Sequence, residues 1–204
     1  MSAAAPVTRV GALEHRYLSG TFAELCRIES PSGRERACGE RVIAELRALG
    51  VTVQEDGAGE RTGSDCGNLL ARIPAQNRLG EKGAEGEEGA RGSVMLCAHL
   101  DTVPLQAPVE PVLRDGFWEN EHDGILGADN KAAIVVLLAL ARHICREGPP
   151  VDVELLFTVA EETALAGALA FQTASLRSGF GYVFDHASPI GEVVIDSPTH
   201  YRFK

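Results

Sequence analysis

Short apolar runs alternate along this chain with longer segments in which apolar residues recur at helical spacing. Residues 93–97, 153–160 and 181–184 are mostly apolar runs of the length that buried strands have. Residues 10–28 and 33–49 repeat apolar side chains every three or four positions, which predicts two amphipathic helices. Strands that alternate with helices predict an α/β fold built around an open sheet.

Weaker patterns place a third helix, two further strands and a hairpin. Residues 132–141 are apolar nearly all round, which predicts a buried helix. Further strands are predicted at 51–53 and 68–73, and Asp-Gly turn signals within 111–125 favour a small hairpin or loop. Ser32 precedes the second helix and is predicted to cap its N-terminus.

The segment 75–92 differs from these elements because it is rich in glycine and glutamate. It contains few apolar residues and shows no periodicity, so it cannot bury enough apolar surface to offset the entropy of ordering. We therefore expect a disordered surface loop between neighbouring strands.

Carboxylates and one imidazole follow the three apolar runs, and another carboxylate begins the buried helix. Because the carboxyl ends of parallel strands share one edge of an open α/β sheet, we expect these groups to converge there. They are His99 and Asp101 after the first run, Glu161 and Glu162 after the second, Asp185 after the third, and Asp129 at the helix start.

Such a concentration of negative charge is stable only if cations neutralise it. Mixed nitrogen and oxygen ligands suit zinc, cobalt or manganese better than calcium or magnesium. A pair of such ions typically serves amide or ester hydrolysis. Four of these residues also have a simpler interpretation: His99 satisfied by a neighbouring carboxylate, Asp129 as a helix cap, and Glu161 and Glu162 in a solvated loop.

Three segments resemble a known family. Residues 98–104, 127–133 and 157–162 are similar to the di-zinc metallopeptidases that include aminoacylase, carboxypeptidase G and peptidase T. The order and the residues of these segments look most like those of the peptidase T-like (tripeptide aminopeptidase-like) branch. The resemblance extends from about residue 15 onward. It implies a three-layer sandwich with a mixed, mostly parallel sheet flanked by helices, as in the catalytic domain of those peptidases.

The resemblance implies a ligand set for two metal ions. His99 and Asp185 would bind one ion, Asp129 would bridge both ions, and Glu162 would bind the second. The ions would be zinc, with cobalt or manganese as alternatives.

The resemblance also implies the residues that act beside the metals. Glu161 would be the general base, and Asp101 would orient the imidazole of His99. Family members often carry a second aspartate where this chain has Asn130. The peptide bond between Asp129 and that position is often cis in the family, so we predict a cis bond here.

By the same resemblance, residues 1–195 are expected to be the N-terminal part of the catalytic domain. Residues 196–204 would then begin the crossover to a lid or dimerisation domain, through which the full-length protein could form a homodimer. A later histidine would complete the second metal site, so we expect the 204-residue chain alone to be inactive.

The function implied is hydrolysis of amide bonds in short peptides, di- or tripeptides, by a water that two zinc ions and Glu161 activate. Two alternatives stay open. The enzyme could instead be a deacylase of N-acyl amino acids, or the chain could be a non-catalytic truncated fragment with an incomplete metal site.

Composition excludes some partners. The net charge of -10 argues against nucleic acid or an anionic membrane as a partner. No run reaches the ~18 apolar residues of a membrane helix, and no signal peptide is predicted. The five cysteines are scattered without metal or redox spacing, which predicts reduced thiols and a cytoplasmic location.

Overall fold

The structure is a computed structural model that describes residues 11–76, 92–187, 189 and 191–196. It contains both strands and helices, as the hydrophobic pattern predicts. The strands are β1 (Val53–Glu55), β2 (Leu69–Ile73), β3 (Ser93–His99), β4 (Pro111–Arg114), β5 (Phe117–Asn120), β6 (Asp152–Thr158) and β7 (Gly181–Val183). The helices are α1 (Ala12–Arg27), α2 (Arg36–Ala48), α3 (Ala58–Thr62), α4 (Ala128–Glu147) and α5 (Ala166–Ala170).

Five strands form one mixed sheet in the order β1-β2-β6-β3-β7. β3 lies between β6 and β7 and is parallel to both, whereas β2 is antiparallel to β1 and to β6. Helices cover one face of this sheet, since α4 packs on β3, α1 and α2. The predicted mixed sheet flanked by helices is therefore confirmed.

Alternate residues of the central strands point to opposite faces of the sheet. Leu155 and Phe157 of β6 are fully buried in the large cluster under the helices. Leu156, between them, belongs to a smaller cluster on the other face, against which Phe171 and Leu176 pack. The two clusters give the sheet a three-layer arrangement, with the thicker layer on the helical side.

The predicted buried helix is the central part of α4, which extends beyond 132–141 at both ends. Ile134, Leu137 and Leu138 are fully buried, and they recur at the spacing that places them on one helix face. Val136, however, is 47% exposed. The apolar stretch is therefore not buried all round, because the outer face of α4 has no further layer above it in the described residues.

The predicted N-cap of α2 is wrong. Gly33 adopts a positive φ of 96°, and the N–H of Arg34 donates to the carbonyl of Pro31, so a turn delays the start of the helix. The residue that precedes α2 is Glu35, and its side chain does not cap the helix. The Ser32 hydroxyl donates instead to Asp101.

The predicted strand at 51–53 lies two residues later, as β1. Val51 is buried, and its N–H donates to the carbonyl of Leu46, so this residue still closes the C-terminal turn of α2. Of the two forms predicted within 111–125, a small hairpin or a loop, the structure has the hairpin, formed by β4 and β5. Its Trp118 packs edge-to-face on Phe22 of α1 at 5.6 Å between ring centroids.

Two predicted segments lie largely outside the described residues. The glycine- and glutamate-rich segment 75–92 is described only at 75–76 and at 92, and the predicted crossover at 196–204 only at residue 196. Among the described residues, no helix is both long enough and apolar enough to cross a membrane.

Shortening Leu137 to alanine should lower the free energy of unfolding by about 2–5 kcal/mol, because this side chain is fully buried between α4 and the sheet. Val136→Ala, on the exposed face of the same helix, is the matched control and should change stability by less than about 1 kcal/mol. Urea unfolding followed by circular dichroism measures both. Equal losses in the two variants would contradict this account of the core.

Candidate metal centre

The carboxyl ends of β6, β3 and β7 lie side by side at one edge of the sheet. Val183 of β7 pairs with Cys97 of β3, so Asp185 comes out beside His99, each two residues further along. The distance from Asp185 Oδ1 to His99 Nε2 is 3.6 Å. Thr158 of β6 pairs with His99 on the other side. The parallel register thus delivers the polar residues that follow these strands to one place.

The N-terminus of α4 brings in Asp129. Gly127 supplies the positive φ of 76° at the turn into the helix. Asp129 Oδ1 lies 2.9 Å from His99 Nε2, and the helix N-terminus has no side-chain cap. The Asp129–Asn130 peptide bond is cis, as predicted. Asn130 is buried, and its amide donates to the carbonyl of Phe184 at 2.7 Å, which ties the helix start to the chain just before the β7 carboxylate.

A buried lysine holds the first turn of α4 from the other side. Lys131 is 1% exposed. Its ammonium donates to the Ser30 hydroxyl at 2.5 Å and to the carbonyl of Ile28 at 3.3 Å, and it lies 3.2 Å from the sulfur of Cys38. Since residues 28 and 30 follow α1, this lysine fixes the start of α4 against the loop after α1.

Asp101 is fully buried and accepts hydrogen bonds from several directions. Its Oδ1 accepts the N–H of Glu161 at 2.9 Å, and its Oδ2 accepts the N–H of Glu162 at 3.1 Å and the hydroxyl of Ser32 at 2.6 Å. His99 Nδ1 lies 3.3 Å from Oδ1, which is within ion-pair distance. The geometry does not make this contact a hydrogen bond, and Nδ1 has no other hydrogen-bond partner among the described residues. Asp101 therefore holds the backbone of both glutamates as well as facing the imidazole.

The structure thus brings together all six residues that the sequence singles out. Three supporting residues were not anticipated: Ser32, Asn130 and Lys131. In the sequence Ser32 matches a helix cap, Asn130 stands where the family often has an aspartate, and Lys131 lies in the 127–133 motif without an obvious partner. A polar residue beside a motif is a weak signal, because its partners come from distant parts of the chain.

The carboxylates decide the charge of His99. Burial alone would lower the pKa of this imidazole, but the carboxylates of Asp101, Asp185 and Asp129 outweigh burial and raise the pKa to about 9. The raised pKa favours the protonated imidazole, which is a cation among the carboxylates of the cluster.

The other acidic groups divide into two kinds. Burial, assisted by neighbouring carboxylates, raises the pKa of Glu161, Glu162 and Asp185 above the ordinary range. Burial also opposes ionisation of Asp101, but its hydrogen bonds outweigh burial and lower its pKa. Asp101 is thus a satisfied carboxylate, whereas the other three would gain from a nearby cation.

Two sets of side chains have the spacing of a metal site. One set joins His99 to Glu161 and Asp185, and the other joins His99 to Asp129 and Glu162, with the ligand atoms of each set within 4.8 Å of one another. The donor set consists of one imidazole and four carboxylates. Three of these carboxylates have a raised pKa, and the fourth, that of Asp129, lies next to the imidazole. Such a mixture of nitrogen and oxygen donors fits divalent ions of the zinc type.

A comparison with known protein families decides the relationship. The sequence pattern of Peptidase family M20/M25/M40 matches residues 95–201, which is about half of the chain and includes every residue of the cluster. This chain belongs to that peptidase family. The predicted resemblance to metallopeptidases of the peptidase T type is confirmed.

Similar proteins cover nearly the whole chain. Aminopeptidase PepT from Bacillus cereus is 28% identical with a TM-score of 0.78, covering 89% of this chain and 46% of that protein. A tripeptidase from Staphylococcus aureus is 29% identical with a TM-score of 0.74, covering 86% and 44%. The Bacillus subtilis protein YqjE is 27% identical over 193 residues, covering 94% and 49%. The M20/M25/M40 chain thus spans about half the length of these proteins.

Asp101→Asn should destabilise the protein by about 1–3 kcal/mol. The new amide NH2 would face one of the two buried N–H groups that now donate to Asp101, and that N–H would lose its acceptor. The affinity for a divalent ion should fall about 10- to 100-fold as the glutamates and His99 lose their common support. Ser32→Ala removes only one donor and should cost about 1 kcal/mol. Chemical unfolding measures the change in stability, and calorimetric zinc titration measures the change in affinity. An Asp101→Asn variant with unchanged stability and unchanged zinc affinity would contradict the assigned role.

Metal affinity should increase with pH up to about 9, since an ion that binds His99 must displace the proton that the raised pKa retains. The increase should be about tenfold per pH unit below that limit, because each ion that binds His99 displaces one proton. Titration with a chelator-buffered ion at several pH values tests this. Replacing the exposed His15 by glutamine should leave the profile unchanged, and a flat profile in the unmodified protein would refute the prediction.

Proposed function

We propose that the full-length protein hydrolyses amide bonds of short peptides at a centre of two zinc ions. The observation that supports this most directly is the convergence of four carboxylates on His99 at the carboxyl ends of β6, β3 and β7. Membership of a peptidase family and similarity to an aminopeptidase and a tripeptidase support peptides as the substrate class.

In this proposal each ligand acts from its own structural element. His99 and Asp185 would hold one ion from β3 and from the end of β7, and Asp129, at the start of α4, would serve as a ligand for both ions. Glu162 would hold the second ion from the turn after β6. When bound, the ions supply an acidified water and an electrophile for the scissile carbonyl.

Glu161 is the general base in the same proposal. Its backbone N–H is fixed by Asp101, and burial raises the pKa of its carboxyl, which suits a group that must take up and release a proton near neutral pH. Glu161 accepts the proton of the attacking water and returns it to the amine that leaves. Asp101 keeps the imidazole of His99 in place and does not exchange protons with the substrate.

The proposal extends to the organisation and location of the protein. Residues 1–195 would form the first part of the catalytic domain, and 196–204 would begin the crossover to a lid domain. All five cysteines are free, and four of them are buried, which supports a reducing compartment such as the cytoplasm.

Glu161→Gln in the full-length protein should lower kcat by about a thousandfold while two zinc ions per chain remain bound, because the amide cannot accept a proton. Peptidase assays with di- and tripeptides and metal analysis give the two readouts. Glu40→Gln, on the exposed face of α2, is the control and should retain full activity. Near-normal turnover by Glu161→Gln would reject the base assignment, and loss of an ion would make Glu161 a ligand instead.

A further inference from the structure

The turn that follows β6 donates three successive backbone N–H groups to buried carboxylates. Glu161 and Glu162 donate to Asp101, as described above. The N–H of Ala160, directly before them, donates to Glu35 Oε1 at 3.0 Å. Glu35 comes from the loop before α2, far away in sequence, and it has no part in the ligand set.

Glu35 is itself held at both oxygens. It is fully buried, and its Oε2 accepts the hydroxyl of Ser64 at 2.6 Å. Ser64 is fixed in turn, because its hydroxyl oxygen accepts the N–H of Cys66 at 3.1 Å. The carboxylate therefore has one position in which both oxygens are satisfied, and that position fixes the direction of the Ala160 N–H.

Ala160 needs such support because of its backbone conformation. Its φ is +52°, in the left-handed region that residues with a Cβ rarely adopt. Its carbonyl accepts the N–H of Ala166 and the hydroxyl of Thr163, both at 3.0 Å. With Glu35 on the N–H side, both polar groups of this residue are committed, so the strained conformation is the one that satisfies them.

We propose that Glu35 is a positioning residue for the general base, acting through the Ala160 peptide. Ala160 directly precedes Glu161, so its orientation sets the direction in which the Glu161 side chain leaves the turn. The proposal rests on the base role of Glu161 in the proposed function. Within the described residues, the side-chain hydrogen bonds of Glu35 go to Ser64 and Ala160 and to none of the proposed metal ligands.

The donors around Glu35 show which property of the side chain matters. Both hydrogen bonds come from neutral groups, a backbone N–H and a hydroxyl. Glutamine retains an oxygen for Ala160, and its NH2 can donate to Ser64 after the hydroxyl rotates. Aspartate keeps the charge but is shorter by roughly 1.5 Å and cannot reach both donors. Reach and acceptor geometry, rather than charge, are therefore what the turn requires.

The test compares Glu35→Asp and Glu35→Gln in the full-length, zinc-loaded enzyme. Glu35→Asp should lower kcat about 10- to 100-fold with KM within about twofold, because the base is displaced while substrate binding is intact. Glu35→Gln should restore kcat to within about threefold of the unmodified enzyme. Zinc content should stay at the unmodified level in both variants.

Glu154→Asp is the matched control. Glu154 is 1% exposed, accepts the backbone N–H groups of Arg177 and Ser178, and pairs with Arg72 at 2.8 Å, but it lies near the opposite end of β6. Shortening it carries a comparable structural cost and should leave kcat unchanged. An equal loss of kcat in Glu154→Asp and Glu35→Asp would overturn the proposal, as would a Glu35→Gln variant no better than Glu35→Asp.

Amide hydrogen exchange at Ala160 gives a readout that does not depend on activity. In the unmodified protein this amide should exchange only as fast as the core of β6, and Glu35→Asp should accelerate it at least about tenfold. Rapid exchange in the unmodified protein would overturn the proposal even if no variant folds. If Glu161→Gln stays active, the base role of Glu161 fails and the positioning proposal fails with it, whereas the exchange data still show whether Glu35 holds the turn.

Discussion

Carboxylates repel one another, and the whole arrangement around His99 depends on how that repulsion is contained. The acidic side chains approach the same imidazole, and those of Glu161, Glu162 and Asp185 are harder to ionise than isolated carboxyls. The backbone beneath two of them is anchored to Asp101, a carboxylate that is itself fully satisfied. The site thus uses one stabilised negative charge to hold others at a distance where a cation can neutralise them.

The parts of this arrangement that follow from strand periodicity were predictable. His99 and Asp185 each lie at the end of an apolar run, and parallel pairing of β3 with β7 is sufficient to bring them together. Asp129 follows a glycine at the start of an apolar helix, so its place was also foreseeable. Local patterns carry this information because sheet edges and helix termini are defined by short segments.

The supporting interactions were not predictable, because each joins residues far apart in sequence. Ser32 has the residue type and the sequence position of a helix cap, yet the turn at Gly33 directs its hydroxyl to Asp101. A glutamate at the start of a helix is usually exposed, yet Glu35 is buried and accepts the N–H of Ala160, 125 positions further along the chain. Propensity describes a residue and its neighbours, whereas these contacts depend on how β6 and the loop before α2 meet.

The committed N–H groups after β6 have a consequence for catalysis. Consecutive backbone N–H groups that point into one concavity are a common means of stabilising the oxyanion of a tetrahedral intermediate. Here Ala160, Glu161 and Glu162 already donate theirs to carboxylates of the protein. This turn is an anion nest that the chain fills with its own side chains. In a peptidase built on it, the donors for the oxyanion must come from another part of the molecule.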